Sequence, residues 1–221
     1  MDNFNVKTHT ISDFELQICE SKKYGLAGQI WDTAFLFSNF LCSTSSRNKL
    51  KNKIILEIGA GTGLCGLVAA LCGAKKVYLT DREDALPVIQ ANIETNKEML
   101  KSSTKCEIIV QAINWNNKYD FNKIKDRIDI IIASEIIYHG CNYANILLTF
   151  DYFADKDCDI LLAFQSRIES TNLFFNLLED QKDNNGNKKW ATKVLSDEYL
   201  VQNDIELIDG SSIILIKNLS K

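Results

Sequence analysis

Three features of the sequence predict a doubly wound α/β domain. From residue 53 onward, strand-like and helix-like segments alternate, the pattern of a parallel sheet built from βαβ units. The strand-like runs are almost continuously apolar, as in Ile128-Asp129-Ile130-Ile131-Ile132-Ala133, which suits strands covered by helices on both faces. Between the first such strand and the first such helix lies a glycine turn, Glu57-Ile58-Gly59-Ala60-Gly61-Thr62-Gly63-Leu64-Cys65. Glycines there let a backbone take positive φ or come close to a ligand.

The elements follow in order. Strand Lys53–Ile58 leads through the turn into an apolar helix, Leu64–Cys72, and then strand Lys76–Thr80. A helix over Ala85–Leu100 follows, with Asp84 as its N-cap and Pro87 in its first turn. Strands are expected at Glu107–Ala112 and Ile128–Ser134, a helix at Tyr143–Ala154, a strand at Asp159–Phe164 and a helix at Thr171–Gln181. The polar stretch 182–188 reads as a surface loop, and Trp190–Leu195 with Ser212–Lys217 as a closing strand pair. Together these segments make a Rossmann-like sheet of seven strands, mostly parallel, with an antiparallel strand at its C-terminal end. The first 50 residues hold a weakly strand-like Phe14–Cys19 and an apolar helix from Trp31 to Cys42. They read as an extension folded against the ligand face of a single domain spanning residues 1–221. Asn92 and Asn96, four apart on the second helix, are expected to face solvent or to tie the helix to a loop.

Composition narrows the function. At 221 residues the chain can bury roughly 70% of its unfolded surface. Hydrophobic content of 46% with 24% charge is ordinary for a soluble globular protein. A net charge of −4 with no face-long basic stripe argues against nucleic acid as the main ligand. The basic cluster Arg47, Lys49, Lys51 and Lys53 reads as a solvated approach to the first strand. Seven scattered cysteines contain no C-x-x-C, so no metal site is expected, and reduced, mostly buried thiols point to the cytoplasm. The N-terminus shows no apolar signal region, and no apolar run approaches the ~18 residues of a membrane span. A monomer is the expected state.

The glycines fit two ligand signatures. Gly61-Thr62-Gly63-Leu64-Cys65-Gly66 satisfies G-x-G-x-x-G, with Asp81 placed 20 residues after Gly61 as a ribose-binding acid. Glu57, Gly59, Gly61 and Gly63 also form E-x-G-x-G-x-G, whose acid is not part of the dinucleotide signature. In open α/β sheets, ligands bind beyond the carboxyl ends of the strands. Those ends carry suggestive residues: Asp81 for two ribose hydroxyls, Asn114 for the edge of a base, Trp115 for its face, and Ser134-Glu135-Ile136-Ile137-Tyr138-His139 after the fourth strand.

At this point the sequence resembles the seven-strand (class I) S-adenosylmethionine-dependent protein-lysine methyltransferases that carry a D-x-x-Y motif after strand four. Gly28-Gln29-Ile30-Trp31-Asp32 is similar to the family's segment before the sheet, Glu57 to Leu64 to its motif I, Thr80-Asp81-Arg82 to the acid after strand two, and Asn114-Trp115 to the tryptophan after strand three. The resemblance runs from about residue 25 to the end, in outline only over the last 40 residues. It implies S-adenosyl-L-methionine as methyl donor, bound by Trp31, Glu57, Gly59, Ala60, Gly61, Thr62, Gly63, Asp81, Asn114, Trp115 and Ser134. It implies a protein substrate of the translation-factor or chaperone kind. One departure stands out: Glu135 replaces the motif's aspartate in Glu135-Ile136-Ile137-Tyr138, so the carboxylate reaches one methylene further. Glu135 is expected to bind and orient the acceptor amine, and Tyr138 to line its channel. Three readings remain open on sequence alone: methyl transfer to lysine, methyl transfer to arginine or a small amine, and NAD-dependent oxidoreduction. An inert binder that keeps the donor pocket is a fourth. The oxidoreductase reading lacks a Tyr-x-x-x-Lys pair near the expected site and leaves Glu57, Trp115 and Glu135 without a role.

Overall fold

A computed structural model describes residues 3–220, apart from the Ile168 side chain. Met1, Asp2 and Lys221, included in the expected 1–221 domain, lie outside the described residues. The chain opens with an antiparallel hairpin, β1 (Asn5–Ile11) and β2 (Phe14–Glu20), then a 3-10 segment at Lys22–Gly28 and two helices, α1 (Asp32–Cys42) and α2 (Thr44–Leu50). The sheet region follows as β3 (Ile54–Ile58), α3 (Leu64–Leu71), β4 (Lys76–Asp81), α4 (Leu86–Thr95), α5 (Lys97–Ser103), β5 (Glu107–Ala112) and β6 (Ile130–Ser134). It ends with α6 (Tyr143–Phe153), β7 (Asp159–Gln165), α7 (Ile168–Asp180), β8 (Trp190–Val194), α8 (Asp197–Gln202) and β9 (Ser211–Asn218).

The large sheet has seven strands in the order β5-β4-β3-β6-β7-β9-β8. β3 to β7 pair in parallel, and β9 runs antiparallel to both β7 and β8, as the sequence pattern implied. Strand alternation divides the core. Ile55, Val77, Leu79, Ile130 and Ile132 face one layer with α1 and α3, while Leu56, Ile58, Tyr78, Ile131 and Leu162 face the other with Phe121, Phe150 and Phe174. Both layers are buried, which is why these strands read as unbroken apolar runs. Among the described residues no helix is long and apolar enough to cross a membrane.

The structure departs from the expected elements in four places. The helix expected over Ala85–Leu100 is two: α4 ends at Thr95, and Asn96 (φ −99°, ψ 11°) is at once its C-cap and the N-cap of α5. Asp84 caps nothing; it sits in a 3-10 turn at Glu83–Ala85 and pairs with Arg82 at 3.3 Å, because α4 begins only at Leu86, with Pro87 in its first turn. Asn92 and Asn96 do not face solvent. Both are buried and hold β2, where Asn92 Oδ1 accepts Cys19 N–H at 2.6 Å and Asn96 Oδ1 accepts Gln17 N–H at 2.9 Å, and Asn92 also ties the helix to the glycine loop by donating to Thr62 O at 2.9 Å. β1, α2 and α8 had no distinct sequence signal, since β1 is largely exposed and both helices are short. The basic cluster lies partly on α2, where Arg47 reaches Asp13 at 3.2 Å.

Candidate active site

All five parallel strands point their C-terminal ends at one rim. Strand order reverses between β3 and β6, so the crevice lies between the glycine turn and the segment after Ser134. Gly59, Gly61 and Gly63 all have positive φ. Gly59 has the strictest need: a Cβ there would lie 2.8 Å from Ile136 Cγ2 and 3.3 Å from Trp115 Cζ3. The indole and the isoleucine therefore converge on the turn from β5 and β6. Ala60 N–H donates to Thr80 O at 2.9 Å and Gly63 N–H to Ala60 O at 2.7 Å, closing the turn and pinning it to β4. Ala60 and Thr62 are buried, so the turn offers backbone, not side chains, to the crevice.

Asp81 ends β4 with both oxygens engaged by backbone donors, Oδ2 by Gly61 N–H at 2.8 Å and Oδ1 by Arg82 N–H at 2.7 Å. Each oxygen keeps a second lone pair for a ligand hydroxyl. Burial pushes this carboxyl above its usual range, and the two N–H donors oppose the rise. Beside it, a cleft of about 680 Å³ is lined by Arg82, Asp84, Asn114, Asn117, Asp120 and Lys123. Asn114 was expected to offer donor and acceptor alike, but its Oδ1 already accepts Asn116 N–H at 3.0 Å in a local turn. Its amide hydrogens and the second lone pair of that oxygen are the groups left for a base edge.

On the other side of the crevice Ser134 closes β6, and its Oγ is buried with no hydrogen-bond partner among the described residues. Glu135 follows with φ 57°, left-handed for a residue that has a Cβ. That turn sends its side chain toward β7, where Oε1 accepts Gln165 N–H at 2.6 Å and Oε2 pairs with Arg167 Nη1 at 2.7 Å. Tyr138 goes the other way. Its half-buried phenol feels the charges of Arg82 and Asp81, and burial pushes its pKa up, so it is a neutral O–H near pH 7. Glu135 and Tyr138 thus flank the crevice instead of meeting. Trp31 stands just before α1, 37% exposed, with Nε1 donating to Leu26 O at 3.2 Å. The next residue, Ala27, presents its carbonyl to Gly61, which brings the 22–28 segment against the glycine turn.

Glu57 is a correction. Its carboxyl was expected at the ligand, yet it is 2% exposed and turned under α3, where it accepts Gly66 N–H at 2.9 Å. Strand alternation explains this: Glu57 shares the face of Ile55, not of Ile58. Gly66 is explained with it. A Cβ there would strike both the Glu57 carboxyl and Leu79, so helix packing accounts for the last glycine of the G-x-G-x-x-G spacing. Sequence reading missed Arg167, Gln165 and Ile136. The first two stand at or just beyond the end of β7, where no motif marks them in the sequence.

Comparison with known proteins agrees with this geometry. A family model described as lysine methyltransferase matches residues 10–181. The protein N-lysine methyltransferase METTL21A of Danio rerio is 30% identical over 78% of this chain and 76% of its own. The protein-lysine methyltransferase METTL21E of Mus musculus is 32% identical, covering 76% and 68%. The EEF1A lysine methyltransferase 3 of Xenopus tropicalis is 29% identical, covering 79% and 75%. Among solved structures, an O-methyltransferase from Bacillus cereus in complex with SAH superposes with a TM-score of 0.56 at 13% identity, covering 86% of this chain and 82% of that one, and so shares the fold. By the family match and by its similarity to these relatives, the chain belongs to the lysine methyltransferase family.

Proposed function

We propose that this protein transfers a methyl group from S-adenosyl-L-methionine to a lysine side-chain nitrogen of a protein. The observation that carries the reading is the crevice itself: the glycine turn, Asp81 and the orphaned Ser134 Oγ meet at the switch point, with Glu135 and Tyr138 on its flanks. The residues present fit the donor. Gly59 leaves a backbone cradle that a Cβ would fill, and Ser134 Oγ is a buried polar atom in want of a partner.

Asp81 would hold the ribose hydroxyls through its free lone pairs, Asn114 the base edge and Trp115 a ring face. The turn from Gly59 to Gly63, with Ser134, would take the amino-acid end, and Trp31 would close the pocket from the N-terminal side. Glu57 supports this set from beneath by fixing α3. When bound, the donor supplies a methyl group made electrophilic by a positively charged sulfur. The chain's own task is to present the acceptor nitrogen as a free lone pair in line. Aligned contact of that kind supplies roughly 7 kcal/mol or more in good cases. Glu135 would accept an N–H of the acceptor, and the Tyr138 phenol would wall the opposite side.

A translation factor or chaperone is the proposed substrate class, supported by similarity to a relative named for EEF1A. The proposed compartment is the cytoplasm, supported by seven cysteines that are free thiols. The test is incubation of tritiated methyl donor with cell extract and the protein. A labelled band whose label maps to lysine supports the reading; label on arginine or on small molecules, or tight NAD binding with none of S-adenosylhomocysteine by calorimetry, refutes it.

A further inference from the structure

The acid assigned to the acceptor already has a cation. Arg167, just past the end of β7, places Nη1 2.7 Å from Glu135 Oε2, and the Glu135 side chain is only 7% exposed against 37% for Arg167. The second oxygen is held by Gln165 N–H at 2.6 Å, and Arg167 is anchored by its own N–H to Thr171 Oγ1 at 3.0 Å. The pair is therefore built from both sides of the crevice wall, 32 residues apart in sequence.

Nitrogen methylation needs a lone pair, yet a free lysine titrates near ~10.4 and arrives as ammonium. A bare carboxylate at contact distance would hold that ammonium more tightly and push its pKa higher still. A carboxylate matched by a guanidinium carries no net charge, and its remaining lone pairs still accept an N–H. The positive charge of the guanidinium also repels a second cation. We propose that Arg167 is a positioning residue that sets specificity: by neutralising Glu135, it makes the acceptor site hold the target lysine as the free amine and reject the ammonium. Only a proton moves, from ammonium to bulk water. The inference rests on the lysine reading above.

Other charged or titratable groups on the surrounding elements are Tyr138 and His139 after β6, Asp81 and Arg82 at the end of β4, Asp209 before β9, Glu169 in α7 and Asp32 in α1. His139, Asp209, Glu169 and Asp32 are exposed and solvent-screened, and among the described residues Arg167 is the cation paired with Glu135.

The experiment uses the full chain and the peptide around the lysine found by tritium labelling, with ¹³C at its ε-carbon. Two readouts are taken for the parent, R167Q, R167K and E135Q/R167Q: the pH profile of kcat, and the titration midpoint of the bound peptide's ε-carbon in complex with S-adenosylhomocysteine. In R167Q the acid limb of kcat is expected to move about one pH unit higher, with about a tenfold loss at neutral pH regained at high pH. The ε-carbon midpoint moves the same way. R167K stays near the parent in both readouts; in the double variant, which removes both charges, the pH limb and the ε-carbon midpoint return toward the parent's while the plateau kcat falls, because Glu135 itself contacts the acceptor. The affinity for S-adenosylhomocysteine stays within about twofold of the parent in every variant. If R167Q loses kcat equally at all pH values with an unmoved midpoint, Arg167 is only a brace and the inference fails. A lower KM with an unmoved limb also overturns it, because Arg167 would then be a placeholder displaced by ammonium. A parent that labels no lysine overturns the lysine reading, and this inference with it.

Discussion

Glu57 accepts the N–H of Gly66 at 2.9 Å from a position 2% exposed, so one buried carboxyl ties the first strand of the sheet to the helix that opens behind the glycine turn. The bond fixes the angle at which α3 leaves the turn, and with it the direction of the backbone groups that face the crevice.

Burial pushes Glu57 up to about 8, the Gly66 N–H pulls it back, and nearby Asp81 adds to the rise. The folded state therefore keeps a proton that the unfolded chain releases near the ordinary value of 4.5. The resulting stability is complete below about 4.5 and drains away as pH climbs through about 8. Glu57→Gln has no proton to lose. Urea unfolding across that window should show the parent losing on the order of a few kcal/mol relative to the variant. Parallel curves would mean that Glu57 is ionised in the fold.

Gly59→Ala should be the most damaging single methyl in the crevice. Its φ of 67° disfavours any side chain, and the new Cβ would press on Ile136 Cγ2 and Trp115 Cζ3. Relief requires the turn or the indole to move, and both are proposed to touch the donor. S-adenosylhomocysteine affinity, measured by calorimetry, should fall at least about tenfold, with a stability loss of about 1–3 kcal/mol. Unchanged affinity would place the donor elsewhere.

The sheet was legible in the sequence because doubly covered strands must be apolar without a break, and that constraint leaves an obvious trace. The rim residues were legible for a similar reason, since the ends of parallel strands collect the chemistry. Glu57 was misplaced although its parity with Ile55 was available, because the glycine signature outweighed strand alternation. The Glu135–Arg167 pair and the Asn92–Cys19 bonds had no local trace: their partners lie 32 and 73 residues apart, and no short-range periodicity encodes such distances. The break at Asn96 was hidden too, because its side chain answers to Gln17, 79 residues away.

Asn92 joins the N-terminal hairpin to the glycine turn through one side chain. It accepts Cys19 N–H and donates to Cys19 O at 3.2 Å and to Thr62 O at 2.9 Å, fully buried. Asn92→Leu keeps the branched shape with bulkier methyl groups but strands an N–H and two carbonyls. A destabilisation of about 2–4 kcal/mol is expected, since each unpaired buried group costs roughly 1–3 kcal/mol and some find water. Hydrogen exchange of the Cys19 amide should accelerate more than that of the β6 amides. Equal acceleration everywhere would indicate a global loss and no particular tie at this point.

Asp81→Asn tests the donor site with almost no change of shape. The carboxylate receives two N–H groups, one on each oxygen, from Gly61 and Arg82. An amide has a single oxygen, so its NH₂ must face one of those donors, and the turn or the side chain must rotate away. The lone pairs offered to a ribose are halved at the same time. Affinity for S-adenosylhomocysteine should fall about 10- to 100-fold while the start of the β3–β4 pairing, Ile54 opposite Lys76 at the end away from the rim, keeps its exchange protection. Because burial already holds Asp81 above the usual carboxylate range, the parent should itself bind more weakly as pH drops toward that raised value, and the variant should show no such dependence. Parent and variant weakening together on acidification would take Asp81 out of the donor's contacts.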